Sequence, residues 1–149
     1  MFKIPESILV MIYAGQQVLL LERAQPEGFW QSVTGSLEPG ESWRDAAVRE
    51  LREETGFAAE GLVDTGVRNR FPIVPPWRER YAPEVAFNEE RIFTLALPEP
   101  QVPQLRHQEH VNFAWLPAVE AARRTGSWTN PDAIYRHFGA RLDAQQAAS

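Results

Sequence analysis

The chain has 149 residues, 44% of them hydrophobic and 23% charged, which suits one soluble globular domain with a full core. A formal charge of −5 and the lack of cysteine argue against a broad nucleic-acid or anionic-membrane surface and rule out disulfides and thiolate metal sites. No apolar run reaches the ~18–20 residues that cross a bilayer.

The first residues, MFKIPESILVMIY, hold one lysine, then Pro5 and Glu6, with no small-residue cleavage site. They read as a first strand over 7–13 rather than a signal peptide, and with the missing cysteines they set a cytoplasmic expectation. AGQQ is a turn and 18–23 a second apolar run, so the two predict a hairpin. FWQSVTG (29–35) reads as a short strand and EPGE as a turn. Ser42 is placed as the N-cap of a helix, with Asp45 three residues on as in a capping box. That helix runs to about Thr55, where Gly56 supplies a left-handed end, and Ala47, Val48 and Leu51 face the core. GLVDTGVRNRF returns to the sheet. Residues 72–88, with four prolines and three large aromatics, predict a stiff irregular loop. RIFTLAL (91–97) and VNFAWL (111–116) are strands, separated by a second Pro-broken connection. Two helices follow, the first with Pro117 at its start and the second with Asn130 capping and Pro131 at its first position; the last residues, about 143–149, read as a frayed tail. Hairpins mixed with helical crossovers predict an α/β fold, an α/β/α sandwich on a mixed sheet, in one domain over residues 1–149.

The chemistry concentrates on the first helix. Glu50, Glu53 and Glu54 lie within about one turn of each other. Three carboxylates so close repel unless they share a cation or stand on a solvated face. Mg²⁺ suits them, since it takes hard oxygen ligands and bridges to substrate phosphates. Arg49, one residue before Glu50 and four before Glu53, can hold one carboxylate while the others bind metal. Gly35 and Gly40 let the preceding chain turn tightly and approach a ligand. The plain alternative is a charged helix with Arg49 and Glu53 as an ordinary ion pair.

The spacing is itself informative. Gly35, five residues, Glu41, seven residues, Arg49-Glu50-Leu51, one residue, Glu53-Glu54, one residue, Gly56-Phe57 resembles a complete Nudix box. The resemblance implies the Nudix fold with its loop-helix-loop motif. It also implies hydrolysis of a nucleoside diphosphate linked to another group, with Mg²⁺ or Mn²⁺. Metal and catalytic roles would fall on Glu50, Glu53 and Glu54, with Arg49 orienting one of them. Which glutamate takes the proton from water stays open.

Outside the box, Glu109 lies in a loop between two predicted strands, either as a further acidic ligand or as an exposed loop residue. His107 and His110 flank it and read as loop groups or as supports for the ligands, because Mg²⁺ prefers oxygen. Lys3 and Arg23 can touch phosphate or simply face solvent. Phe71, Trp77 and Tyr81 can stack on a flat ring, though Trp77 suits a rigid lid packed on the core better than a stacking role.

The segments SILVMIYA, FWQSVTGSLEPGE, RYAP, LALP, EH before a tryptophan strand, and SWTN extend the resemblance to the Nudix enzymes that act on a pterin triphosphate. That finer resemblance implies hydrolysis of dihydroneopterin triphosphate to the monophosphate and pyrophosphate, as in folate synthesis. It puts metal on Glu50, Glu54 and Glu109. Substrate contacts would fall on Lys3, Arg23 and Thr34, on Phe71, Pro72, Ile73 and Val74, and on Ser127. The partner is a small triphosphate, with no nucleic-acid polymer and no membrane. Two other functions remain: cleaning of dATP or an oxidised nucleotide, and a ligand-sensing Nudix module without turnover. Such modules usually lose box glutamates, and this chain keeps them all.

Overall fold

A computed structural model describes the backbone of residues 1–148 and the side chains through residue 139. Strand β1 (Glu6–Ala14) turns back at Gly15, in a left-handed conformation with φ 58°, into β2 (Gln17–Arg23). Only Tyr13 and Ala14 pair with that partner strand, at Val18 and Gln17. The two strands then diverge, and the expected single strand over 29–35 is two short pieces that fill the fork. β3 (Trp30–Gln31) pairs with β2, and β4 (Val33–Ser36) with β1.

The break between them is held from a distance. Ser32 N–H donates to Asn130 Oδ1 at 2.8 Å, and Asn130 Nδ2 donates to Ser32 Oγ at 2.9 Å. Asn130, expected to cap the last helix, is therefore fully buried as a cross-chain pin. The helix instead starts at Thr129, and the hydroxyl of Ser127 accepts the N–H of Asn130 at 3.4 Å.

Helix α1 (Trp43–Thr55) begins as expected. Ser42 Oγ accepts the N–H of Asp45 at 3.1 Å, and Gly56 ends the helix with φ 76°. After β5 (Leu62–Pro72), the proline-rich stretch forms a loop with one 3₁₀ turn at Arg78–Arg80. β6 (Phe87–Ala96) then begins four residues earlier than its apolar core suggests. It runs parallel to β1 and antiparallel to β5. β7 (His110–Pro117) pairs antiparallel with β2, and α2 (Ala118–Arg124) and α3 (Thr129–Ala148) complete the chain. The tail expected over about 143–149 lies outside the described side chains.

Strand alternation divides the core. Ile8, Val10 and Ile12 of β1 face α1 with Ala47, Leu51, Phe93 and Leu95. Leu9 and Met11 face the other way, with Ile92, the alanines of α2 and Ala133, Ile134 and Phe138 of α3. β1 is thus apolar on both sides, as a central strand between two helical layers must be. The mixed sheet with helices on both faces is the expected α/β/α sandwich.

Candidate active site

Arg49 organises the box. Its Nε and Nη2 donate to the two oxygens of Glu41 at 2.8 and 2.9 Å, and Nη2 also donates to the Ser36 carbonyl at 3.0 Å. Nη1 donates to Glu50 Oε1 at 2.7 Å and, more loosely, to Glu53 Oε2 at 3.4 Å. One fork thereby ties the loop before α1 to the carboxylates on it, and a lysine could not make that pattern. Hydrogen bonding from Arg49 holds Glu41 below the usual carboxylate range.

Gly35 is required by close approach. A Cβ there would collide with the carboxyl of Glu50. Glu50 consequently sits against the strand, where burial pushes its pKa up to about 7 despite the bond from Arg49. Glu54, only 2% exposed, is raised well above the usual carboxylate range, first by burial and then by the charges of Glu50 and Glu109.

Glu109 is positioned by pairing at the far end of the sheet. Its carbonyl accepts the N–H of Ala24, and its own N–H donates to Arg106 O. The register shift between Glu22 and Arg23 brings Arg23 opposite His110, the first residue of β7. Donor atoms of Glu54, Glu109 and His110 lie within 4.8 Å of one another. Glu54 Oε2 and His110 Nδ1 are buried without a hydrogen-bond partner. Burial, with Arg23 nearby, lowers His110 to about 4 and keeps it neutral. Clustered carboxylates with an orphaned oxygen beside a neutral imidazole fit a divalent cation, which would relieve both the repulsion and the missing bonds.

Glu50, Glu54 and Glu109 form one end of a cavity of about 750 Å³, a size suited to a small organic ligand. Lys3, Arg23, Thr34 and Ser127 line it, as does the whole segment Phe71, Pro72, Ile73 and Val74. Every substrate contact expected from sequence therefore reaches one space. Among Glu50, Glu53 and Glu54, Glu53 is the exception. It does not line the cavity but lies between Arg49 at 3.4 Å and Arg106 at 3.9 Å.

Sequence reasoning missed Arg80. Its carbonyl accepts the N–H of Lys3 at 2.8 Å, so the N-terminus is tied to the proline-rich loop. Lys3 and Arg23 are each lowered by desolvation and then by the charge of Arg80. Mutual repulsion among three cations in one wall makes a natural seat for phosphates. Trp77 is engaged rather than free. Arg23 and Arg80 lie 5.0 and 5.6 Å from its ring centre, and Phe29 meets it edge-on at 5.6 Å. Phe29, Asn88 and Glu90 also line the cavity and were not anticipated. The WRER cluster in a proline-rich loop was the available sign for Arg80; for the other three, no local pattern exists.

Known proteins share this arrangement. The family described as NUDIX domain matches residues 3–138. Dihydroneopterin triphosphate diphosphatase of Escherichia coli K12 is 45% identical over 139 residues, 89% of this chain and 91% of that protein. The enzyme of the same name from Haemophilus influenzae is 34% identical over 143 residues, 92% and 89% of the two chains. The structure of the E. coli dihydroneopterin triphosphate pyrophosphohydrolase superposes with a TM-score of 0.85 at 42% identity, covering 91% of this chain and 95% of that one. With its fold, its complete box helix and a family match over nearly its whole length, the chain belongs to the Nudix family.

Proposed function

We propose that this protein hydrolyses dihydroneopterin triphosphate to dihydroneopterin monophosphate and pyrophosphate, a step of folate synthesis carried out in the cytoplasm. One observation carries the reading: a single cavity joins a carboxylate cluster, a wall of three cations and an aromatic, polar far end. That order matches a molecule with a charged polyphosphate tail on a flat heteroaromatic head. The two relatives named for this reaction support the choice of head group.

In this reading Glu50, Glu54 and Glu109 would hold Mg²⁺, with Mn²⁺ able to substitute, because hard oxygen donors predominate. The bound metal would neutralise phosphate charge and lower the pKa of water. Lys3, Arg23 and Arg80 bind the phosphate tail and offset its charge. Arg49 orients Glu50 and keeps Glu41 and Glu53 from swinging into the cavity. A carboxylate of the cluster takes the proton from the attacking water. Thr34, Ser127 and the segment Phe71–Val74 orient the ring.

The test is phosphorus NMR of the products formed in oxygen-18 water. Pyrophosphate and the pterin monophosphate are expected, with solvent oxygen in one of them and no early orthophosphate. Orthophosphate as the first product would overturn the bond assignment. A kcat/KM for dATP well above that for the pterin would move the protein to nucleotide cleaning.

A further inference from the structure

At the far end of the cavity, β6 presents Asn88 and Glu90 on the same face as Ile92, toward the α3 side of the sheet. Both are buried, at 2% and 5% exposure, and both line the cavity. Asn88 Nδ2 donates to Ser7 Oγ at 2.8 Å, which fixes its amide and leaves Oδ1 without a partner. Glu90 Oε1 is also unpartnered. No ion pair among the described residues involves Glu90. Buried acceptors of this kind are costly unless something donates to them, and here they face a ligand space.

We propose that Glu90 is the residue that selects the ring, its carboxylate accepting two parallel hydrogen bonds from the N3–H and 2-amino group of the pterin, with Asn88 Oδ1 as a further acceptor. This rests on the pterin reading above and adds to it the source of discrimination. A 2-amino-4-oxo ring offers two adjacent donors on one edge. Guanine offers the same pair through N1–H and its 2-amino group. Adenine sets a ring-nitrogen acceptor beside its 6-amino donor, so one carboxylate oxygen would meet a lone pair. A site built around a hydrogen-bonding edge rejects the mismatched ring strongly, because its own buried group is then left unsatisfied. Aromatic neighbours such as Phe71 cannot make that distinction, since every candidate ring has a stacking face.

Burial pushes Glu90 up to about 7, against the pull of the nearby Thr129 and Asn69 side chains. A ligand bringing two N–H donors would favour the ionised form and bind more tightly for it. The carboxylates around Glu54 have the opposite need, a cation, so the two acidic groups of the cavity call for different ends of one molecule.

Glu90→Gln tests the assignment because an amide offers one donor and one acceptor, the pattern that suits adenine. Dihydroneopterin triphosphate, dGTP and dATP are compared as kcat/KM on parent and variant. The ratio of pterin to dATP is expected to fall at least about 100-fold, mainly through KM for the pterin, and the ratio of dGTP to dATP should fall with it. The affinity for dihydroneopterin monophosphate, titrated in EDTA, should weaken in parallel without any turnover. Equal losses on all three substrates, or an unchanged ratio with unchanged affinity, would return Glu90 to a structural role. If the parent hydrolyses no pterin triphosphate, the substrate reading fails by itself. The dGTP to dATP ratio then still decides whether Glu90 reads an edge.

Discussion

The two ends of the cavity hold acidic groups in opposite ways. At the box end Glu41 and Glu50 are paired in advance by one guanidinium, and Glu54 is left as the orphan beside Glu109 and His110. At the ring end Glu90 pairs with no cation among the described residues, and its neighbour Asn88 has half of its amide unsatisfied. The box end is assembled largely within 23 consecutive residues, 35–57, whereas the ring end draws on Ser7 of β1, Asn88 and Glu90 of β6 and Thr129 at the start of α3. A reactive centre built locally tolerates variation elsewhere in the chain. A recognition surface built from distant strands depends on register, which a one-residue slip would destroy.

The largest effect expected at the box end comes from Glu54→Gln, which keeps shape and removes charge. Turnover should drop by on the order of 100- to 1000-fold, with the fold intact by circular dichroism. Excess Mg²⁺ should raise its melting temperature less than that of the parent. Near-parental activity would undo the metal assignment.

Gly35→Ala acts on the same centre through space rather than charge. Its Cβ would displace the Glu50 carboxyl, and since that group ends a flexible side chain, the cost to stability should stay near 1–2 kcal/mol. Activity should nevertheless fall roughly 10- to 100-fold, as misplacement by about 1 Å commonly does. A variant that loses stability and activity in equal measure would show that Glu50 is not held in a productive position by this contact.

Glu109→Ala should be milder. It is expected to raise the Mg²⁺ concentration for half-maximal rate by about tenfold, with little change in melting temperature because the side chain is half-exposed. Identical metal titrations for parent and variant would remove Glu109 from the site.

The remaining effect, on stability rather than rate, is at the ring end. The folded pKa of Glu90, raised to about 7, lies above its unfolded value, so the fold favours the protonated form. Its contribution to stability is full below about pH 4.5 and is lost as pH rises through about 7. Glu90→Gln, always neutral, should therefore gain on the parent across that window. At about 1.4 kcal/mol per pKa unit, the gain by pH 8 is on the order of 3 kcal/mol. Parallel melting curves for the two proteins from pH 4.5 to 8 would show that Glu90 titrates normally.

Local physics made much of this protein legible from its sequence. Ser42 and Gly56 mark the ends of α1 because capping depends on neighbours three or four residues away. The spacing of Arg49, Glu50 and Glu54 follows from helix geometry, so the box could be read before any fold was known. The continuous apolar runs of β1 and β2 likewise identified buried strands. What the sequence left open depends on pairing across long separations. The split of 29–35 into β3 and β4 is set by Asn130, 98 residues away from Ser32, and local preference alone assigned that asparagine to a cap. Arg80 joins Lys3 and Arg23 only because the proline-rich loop folds back over the N-terminus. Glu90 stands in an unremarkable NEER stretch, and its burial follows from the parallel register of β6 against β1. Neither local charge pattern nor hydrophobic period carries that register, because it is decided by which faces of distant strands can share a core. The tertiary structure alone turned Glu90 from a surface carboxylate into a buried one lining the cavity.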